Sequence, residues 1–279
     1  MRILFVCKKR IESYGGVTFG LFNSASFVSN ALNSIGIESK VVSVIDNNYI
    51  DKEVRDFSPT HVIIEAYWVV PSKFDVLCKL YPDVKWIVRG HSKIPFFANE
   101  GICSSWTRDY VKNIGIFNNL YLSFNDRETC DSIAYGFGYA PYFLPNIYFP
   151  DKNIEGEINL NDNCLFSDKD VFFDVGCFGA IRPMKNTLQQ AIAAIKFSEI
   201  IGKRLRFHIN GSRTEQKGES VLKNLQDLFS GSPHVLVEHP WMKHPDFIEV
   251  VKQMDMGMQV SLTESFNIVG ADFVINGLP

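Results

Sequence analysis

Two acidic residues stand close together near the end of the sequence, in the stretch TESFNIVGADFVINGLP. Glu264 precedes an apolar run with helical spacing, and Asp272 lies within that run. Carboxylates at such positions can accept paired hydrogen bonds from the hydroxyl groups of a ligand. The alternative is structural, with Glu264 as a helix cap and Asp272 as a solvated helix residue.

Two cations form a second candidate group, in the stretch GAIRPMKN. Arg182 and Lys185 follow a predicted strand and directly precede a predicted helix that begins near Asn186. An arginine fork, a lysine point charge and a helix N-terminus together suit a diphosphate. Surface cations are the alternative, but positive charge at a helix N-terminus is unfavourable without an anion, which favours a ligand.

Three further loops follow predicted strands. Gly15 and Gly16 follow the first strand, where glycine lets a ligand approach the backbone and the next helix presents its N-terminus. His91 follows the fourth strand and can hydrogen-bond a ligand hydroxyl, and Asn210 with Gly211 follows a later strand. Each loop could also be a routine turn, with His91 satisfied by backbone groups. The loops are candidates because open α/β sheets bind ligands outside the carboxyl ends of their strands.

The composition is that of a globular protein, with 46% hydrophobic and 21% charged residues. A net charge of −3 gives no overall attraction to nucleic acid. The six cysteines show no CxxC spacing, which favours buried free thiols over disulfides or a zinc site. No apolar run reaches the ~20 residues that span a bilayer. We therefore expect a cytoplasmic protein, with any membrane contact peripheral, and the sequence does not indicate the oligomeric state.

Short apolar runs rich in β-branched residues alternate with longer amphipathic runs. This alternation predicts α/β architecture, with parallel sheets covered by helices on both faces. The pattern lapses between Pro145 and Asp170, in a stretch rich in Asn, Asp and Pro that is typical of a connection. We therefore predict two Rossmann-like domains facing across a cleft, at residues 1–150 and 171–279, with a linker at 151–170.

Taken in order along the chain, these features resemble the group-1 (family 4) glycosyltransferases, retaining enzymes of the GT-B fold that use nucleotide-sugar donors. That family has two acids separated by seven residues, a phenylalanine near the first acid, and Gly-x-Pro after the following helix. Glu264 matches the first acid, Asp272 replaces the second, and Phe266 and the GLP at 277–279 also match.

The resemblance extends to the other candidate loops. Lys185 is similar to the family's phosphate-binding lysine, and His91 to its active-site histidine. Gly15 and Gly16 look like its glycine-rich first loop. Arg182 stands three residues before the lysine, whereas the family's arginine usually stands five before it.

The resemblance implies a role for each candidate. Lys185 and Arg182 would stabilise the leaving diphosphate, Glu264 would contact the donor sugar, and Asp272 would bind the ribose with one methylene less reach than glutamate. Asn210 and Gly211 would also contact the donor. Backbone N–H groups before and at the start of the helix would face the diphosphate, namely those of Ser265, Phe266, Asn267 and Ile268. No metal is expected, and the D-x-D string at 168–170 precedes a strand, the wrong place for a metal bound to a diphosphate. The nucleoside-diphosphate-sugar would be a co-substrate, so no other cofactor is expected.

The sequence therefore predicts transfer of a sugar from a nucleoside-diphosphate-sugar to an acceptor, with retention of configuration. The donor's base and sugar, and the acceptor (a glycan, lipid, protein or modified nucleobase), stay open. The alternative is a non-catalytic sugar-nucleotide-binding or scaffold protein. A nucleotide-cofactor oxidoreductase is disfavoured because no GxGxxG follows the first strand. The family continues past Gly-x-Pro into another strand and helix, so the C-terminal domain is expected to be incomplete.

Overall fold

The computed structural model describes residues 1–9, 20–149 and 168–279. The chain divides into two compact units. Unit 1 comprises Met1–Pro150 with Glu264–Phe266, and unit 2 comprises Asp151–Thr263 with Asn267–Pro279. Gly15 and Gly16, predicted to approach the donor, lie outside the described residues.

Unit 1 is built on a parallel sheet. Its strands are Arg2–Lys8 (β1), Glu38–Val44 (β2), His61–Glu65 (β3), Lys85–Gly90 (β4), Leu120–Phe124 (β5) and Tyr142–Phe143 (β6). Its helices are Gly20–Ser34 (α1), Ile50–Phe57 (α2), Phe74–Leu80 (α3), Cys103–Ile114 (α4) and Arg127–Phe137 (α5). The strand order is β2-β1-β3-β4-β5-β6. Both sheet faces are covered, because Leu4 and Val6 belong to one apolar cluster while Ile3 and Phe5 belong to another.

Unit 2 repeats this architecture on a smaller scale. Its strands are Phe172–Gly176 (β7), Arg204–Ile209 (β8), Val235–Glu238 (β9) and Met256–Gly257 (β10). Its helices are Thr187–Ile200 (α6), Gly218–Phe229 (α7), His244–Val251 (α8) and Ile268–Ile275 (α9). The strand order is β10-β7-β8-β9, and these strands pair in parallel. The predicted α/β class with two Rossmann-like units is therefore confirmed.

The last strand of unit 2, β10, is two residues long. Past Gly257 the backbone turns to other partners: Val260 N–H donates to the Gln190 side chain at 2.8 Å, and Leu262 N–H donates to the Met184 carbonyl at 2.9 Å. The first bond joins the loop after β10 to α6 and the second joins it to the loop after β7, because backbone groups that leave a sheet need other partners.

The GxG at Gly136 and Gly138 ends a helix. α5 begins after Asp126, whose carboxylate accepts from the Thr129 N–H at 2.9 Å, and Gly138 closes the helix with φ at 69°. Glycine is favoured there because a left-handed cap strains other residues. This string therefore forms no dinucleotide loop.

The cysteine prediction is confirmed for the described residues, where Cys7, Cys78, Cys103, Cys130 and Cys177 are buried and free. Among these same residues there is no helix with the length and apolar content that a membrane span requires.

Candidate functional site

The strand order of unit 2 reverses at β7. Strands β8 and β9 continue on one side of β7, whereas β10 lies on its other side. The loops after β7 and β10 therefore leave the sheet at a topological switch point, where open α/β sheets bind ligands outside their carboxyl ends.

Helix α9 packs directly over the ends of β7 and β10. A Cβ atom at Gly257 would lie 2.6 Å from the ring of Phe273, and one at Gly176 would lie 2.7 Å from the same ring. Glycine is required at both positions for this approach. The two glycines thereby let α9 lie across the switch point.

Lys185 lies at this edge of the sheet. Gly179 has φ at 117°, and a Cβ atom there would lie 3.9 Å from Lys185 Cε. The Gly179 N–H donates to Asn210 Oδ1 at 2.9 Å. Burial raises the pKa of Cys177 to about 12, and the nearby Lys185 charge opposes that rise. The structure therefore brings together Lys185 and Asn210, two of the predicted donor-binding residues, around one glycine turn.

Arg182 has an acidic neighbour. Its Nη1 lies 3.8 Å from Glu215 Oε2, and Arg213 Nη2 lies 2.5 Å from the other oxygen of the same carboxylate. The Arg213 guanidinium also stacks on Trp241 at 4.1 Å. Glu215 thus lies between two arginines at this edge and partly balances the charge of Arg182.

Gly211 lies beside the end of β9. A Cβ atom at Gly211 would lie 2.2 Å from Glu238 Oε2 and 2.9 Å from Glu238 Cβ. Glycine is therefore needed at this position for the packing of the Glu238 side chain, whatever else it does.

The N-terminus of α9 is capped by the side chain of Asn267. Asn267 Oδ1 accepts from the Gly270 N–H at 3.0 Å, and Ile268 is the first helical residue. Asp272, one turn further on, is buried and accepts a hydrogen bond from His244 Nε2 at 2.8 Å. The sequence does not indicate that His244 is a partner of Asp272, because no local pattern links His244 to α9.

A buried ionic cluster lies at the carboxyl ends of β3 and β4 in unit 1. Glu65 pairs with Arg89 Nη1 at 3.1 Å and hydrogen-bonds His91 Nε2. Burial acts to raise the pKa of Glu65, but His91 and Arg89 outweigh burial and hold that pKa below its ordinary value. The only sequence signal for Glu65 was one acid inside the apolar run HVIIEAYWVV.

His91 is held from several sides within unit 1. With its Nε2 turned to Glu65, its Nδ1 lies 3.4 Å from Asn125 Nδ2. Asn125 also donates to Ser265 Oγ at 3.2 Å, and Ser265 Oγ donates to the His91 carbonyl at 2.6 Å. Ser265 therefore lies beside the predicted active-site histidine, and Glu264 and Phe266 flank it within the same unit.

Unit 2 contains a buried network that the sequence did not predict. Asp174 accepts hydrogen bonds from Arg206 Nε at 2.6 Å and from His208 Nε2 at 2.9 Å, and Lys169 Nζ lies 2.8 Å away. His208 Nδ1 in turn lies 2.9 Å from His239 Nε2, with the two rings stacked. These groups hold the pKa of Asp174 well below its usual range, although burial opposes that shift.

The stacked histidines are expected to make stability depend on pH. Burial lowers the pKa of His239 to about 4 and also lowers the pKa of His208. Between pH 6.5 and 4, His239 is protonated in the unfolded chain but stays neutral in the folded protein. The free energy of unfolding should therefore fall as the pH drops from 6.5 towards 4. Allowing for partial exposure, the loss should be on the order of 2 kcal/mol. Urea unfolding across this range would measure it, and the same slope in His239→Gln would contradict the assignment.

Within residues 1–9, 20–149 and 168–279, no three His, Cys, Asp or Glu side chains form a group that could hold a metal ion.

No protein-family model and no curated protein sequence matches this chain. Solved structures do match. The catalytic domain of starch synthase IV from Arabidopsis thaliana, bound to ADP and acarbose, has a TM-score of 0.67 at 10% identity, over 99% of this chain and 81% of that one. The apo structure of OtsA has a TM-score of 0.63 at 10% identity, over 99% of this chain and 82% of that one. The chain has the GT-B fold.

A third GT-B protein, the UDP-GlcNAc 2-epimerase of Methanocaldococcus jannaschii, has a TM-score of 0.53 at 13% identity, over 100% of this chain and 82% of that one. A synthase and an epimerase both match, so this fold is compatible with more than one reaction. The function must therefore be argued from the residues of the site.

Proposed function

We propose that this protein binds a nucleoside-diphosphate-sugar and transfers the sugar to an acceptor. The observation that carries the proposal is Lys185 beside the Gly179 turn at the β7–β10 switch point, with Asn210 holding that turn. A lysine ammonium close to a glycine backbone suits a diphosphate, because the backbone can approach the phosphate oxygens and the charge can balance them.

The remaining roles follow the family resemblance and are part of the proposal. Lys185 and Arg182 stabilise the charge of the departing diphosphate, an electrostatic contribution made in the transition state. Asp272 belongs to the ribose side of the donor, and Glu264 and His91 contact the sugar and the acceptor. The acceptor takes the sugar on the face that the diphosphate leaves, with retention of configuration and without a metal.

Lys185→Met is expected to weaken nucleoside-diphosphate binding by about 10- to 100-fold, the effect of losing a hydrogen bond to a charged group. Calorimetric titration with UDP, GDP and ADP would measure the affinities. The matched control is Lys196→Met on the exposed face of α6, which should bind like the unmodified protein. If Lys185→Met bound each of the three nucleotides as tightly as the unmodified protein does, that result would contradict the proposed diphosphate site.

A donor screen separates transfer from the alternatives. The protein is incubated with UDP-, GDP- and ADP-sugars and a mixture of glycan and lipid acceptors, and the products are identified by mass spectrometry. A new glycoside with released nucleoside diphosphate supports the glycosyltransferase. Nucleotide binding with no change in the donor supports the non-catalytic sugar-nucleotide-binding protein, and an isomerised donor sugar supports an epimerase.

A further inference from the structure

A glutamine lies on the buried face of α6. Gln190 is 3% exposed, and two of its neighbours on that face, Ala191 and Ala194, are small and apolar. A buried side-chain amide is costly unless its oxygen and nitrogen are hydrogen-bonded. In Gln190 both ends of the amide have backbone partners, and those partners lie in the loops that leave the sheet of unit 2.

The amide of Gln190 joins two loops. Its Nε2 donates to the Lys185 carbonyl at 2.7 Å, and its Oε1 accepts from the Val260 N–H at 2.8 Å. Lys185 lies in the loop after β7, and Val260 lies in the loop after β10. Both loops leave the sheet at its topological switch point, so one side chain connects them there.

The backbone of Lys185 is held on both sides of the residue. Its N–H donates to the Arg182 carbonyl at 3.0 Å, and the carbonyl of Met184, just before it, accepts from the Leu262 N–H at 2.9 Å. The carbonyl of Lys185 itself accepts from Gln190. Both peptide groups that flank Lys185 are therefore fixed by hydrogen bonds. Because a lysine side chain is a flexible four-carbon stem, a fixed backbone limits where its ammonium group can lie.

Two further side-chain amides connect the same loops. Asn186 Nδ2 donates to the Val260 carbonyl at 3.3 Å, and Gln259 Nε2 donates to the Phe178 carbonyl at 3.0 Å. Phe178 directly precedes the Gly179 turn, so the loop after β10 is bonded to the loop after β7 at both ends of that loop. The amide of Gln190 differs from these two because it is buried and contacts the lysine directly.

We propose that Gln190 is a positioning residue for nucleoside-diphosphate binding, because it fixes the backbone of Lys185 and, through Val260, holds the loop after β10 beside it. This inference rests on the proposed function, since it takes the Lys185 ammonium as the group that contacts the diphosphate. A group that is already held in place loses less freedom when the ligand binds, so it binds the ligand more tightly. Gln190 acts on the ligand through Lys185 and does not touch it.

Gln190→Leu removes both hydrogen bonds and keeps a side chain of similar size. It is expected to weaken binding of the tightest ligand among UDP, GDP and ADP by about 10-fold, because Lys185 is held less firmly. Calorimetric titration would measure the affinity, and thermal denaturation would show that the variant is folded. The matched control is Gln189→Leu, the same substitution at the neighbouring exposed residue of α6, which should bind like the unmodified protein.

A double-mutant cycle shows whether Gln190 acts through Lys185. In Lys185→Met the ammonium group is absent, so the further change Gln190→Leu should weaken binding by less than about 2-fold. A general structural loss would instead be additive, and Gln190→Leu would weaken binding by the same factor in both backgrounds. That additive result would overturn the inference.

Gln190→Glu tests the bond to the Lys185 carbonyl separately, and it serves if Gln190→Leu does not fold. The glutamate oxygens can still accept from the Val260 N–H, but an ionised carboxylate cannot donate to a carbonyl. The affinity of Gln190→Glu relative to the unmodified protein should therefore rise as the pH falls from 7.5 to 5 and the buried carboxyl group takes up a proton. A relative affinity that stays constant over this range would contradict the inference.

The outcomes distinguish this inference from the proposed function. Failure of UDP, GDP and ADP all to bind the unmodified protein would overturn the proposed function and this inference with it. Unchanged affinity in folded Gln190→Leu, with weaker binding in Lys185→Met, would overturn the inference alone.

Discussion

Glu65→Ala is expected to lower the free energy of unfolding by about 3–5 kcal/mol, because it leaves the buried Arg89 guanidinium without its anionic partner. The side chains of Glu65 and Arg89 are 0% and 2% exposed, so the ion pair is shielded from bulk water. Arg89 also donates to the carbonyls of Leu144 and Pro145, which extends the effect to the segment after β6. Urea unfolding followed by tryptophan fluorescence would measure it.

The matched control for Glu65→Ala is Glu38→Gln. Glu38 pairs with Arg2 at 2.8 Å on the surface, where its side chain is 57% exposed. Exposed pairs contribute about 0–1 kcal/mol, so this variant should unfold almost like the unmodified protein. If Glu65→Ala behaved like Glu38→Gln, the buried cluster would not be the stabilising feature that its geometry indicates.

Asp174→Ala should have a comparable effect in unit 2, on the order of 3–5 kcal/mol, because it removes the buried carboxylate that pairs with the Arg206 guanidinium. Arg206 and His208 would lose their carboxylate, and Lys169 would lose an ion-pair partner. Hydrogen exchange in β7 and β8 reports on this unit directly. We expect those strands to exchange much faster in the variant.

Asp227→Ala, an exposed change on α7, is the control for Asp174→Ala and should leave the exchange rates of β7 and β8 unaltered, since surface substitutions usually change stability by less than about 0.5 kcal/mol. Unchanged exchange in Asp174→Ala as well would show that Arg206 and His208 are satisfied without the carboxylate.

Some helices are harder to recognise from the pattern of apolar residues than the strands are. α2 has Ile50, Val54 and Phe57 buried on one face, but its eight residues are dominated by charges, so the apolar spacing is sparse. The strands were easier to recognise because a strand buried on both faces is apolar along most of its length, as in Leu4, Phe5 and Val6.

For the candidate site residues, the sequence predicts their place in the chain order but not their surroundings. The sequence alone identified Lys185 and Asn210 as residues in loops after strands, and the parallel sheet brought them to one glycine turn. It identified Asp272 by its place in a motif but not its burial, because burial depends on what packs over α9.

The sequence by itself determined the α/β class, since the alternation of buried strands and amphipathic helices is a local property of the chain. The tertiary structure decided which charged groups meet. Glu65 faces Arg89 because the register of β3 against β4 aligns them, and His244 reaches Asp272 because α8 and α9 pack together. Register and helix packing are set by contacts between residues far apart in the chain, and local patterns do not encode those contacts.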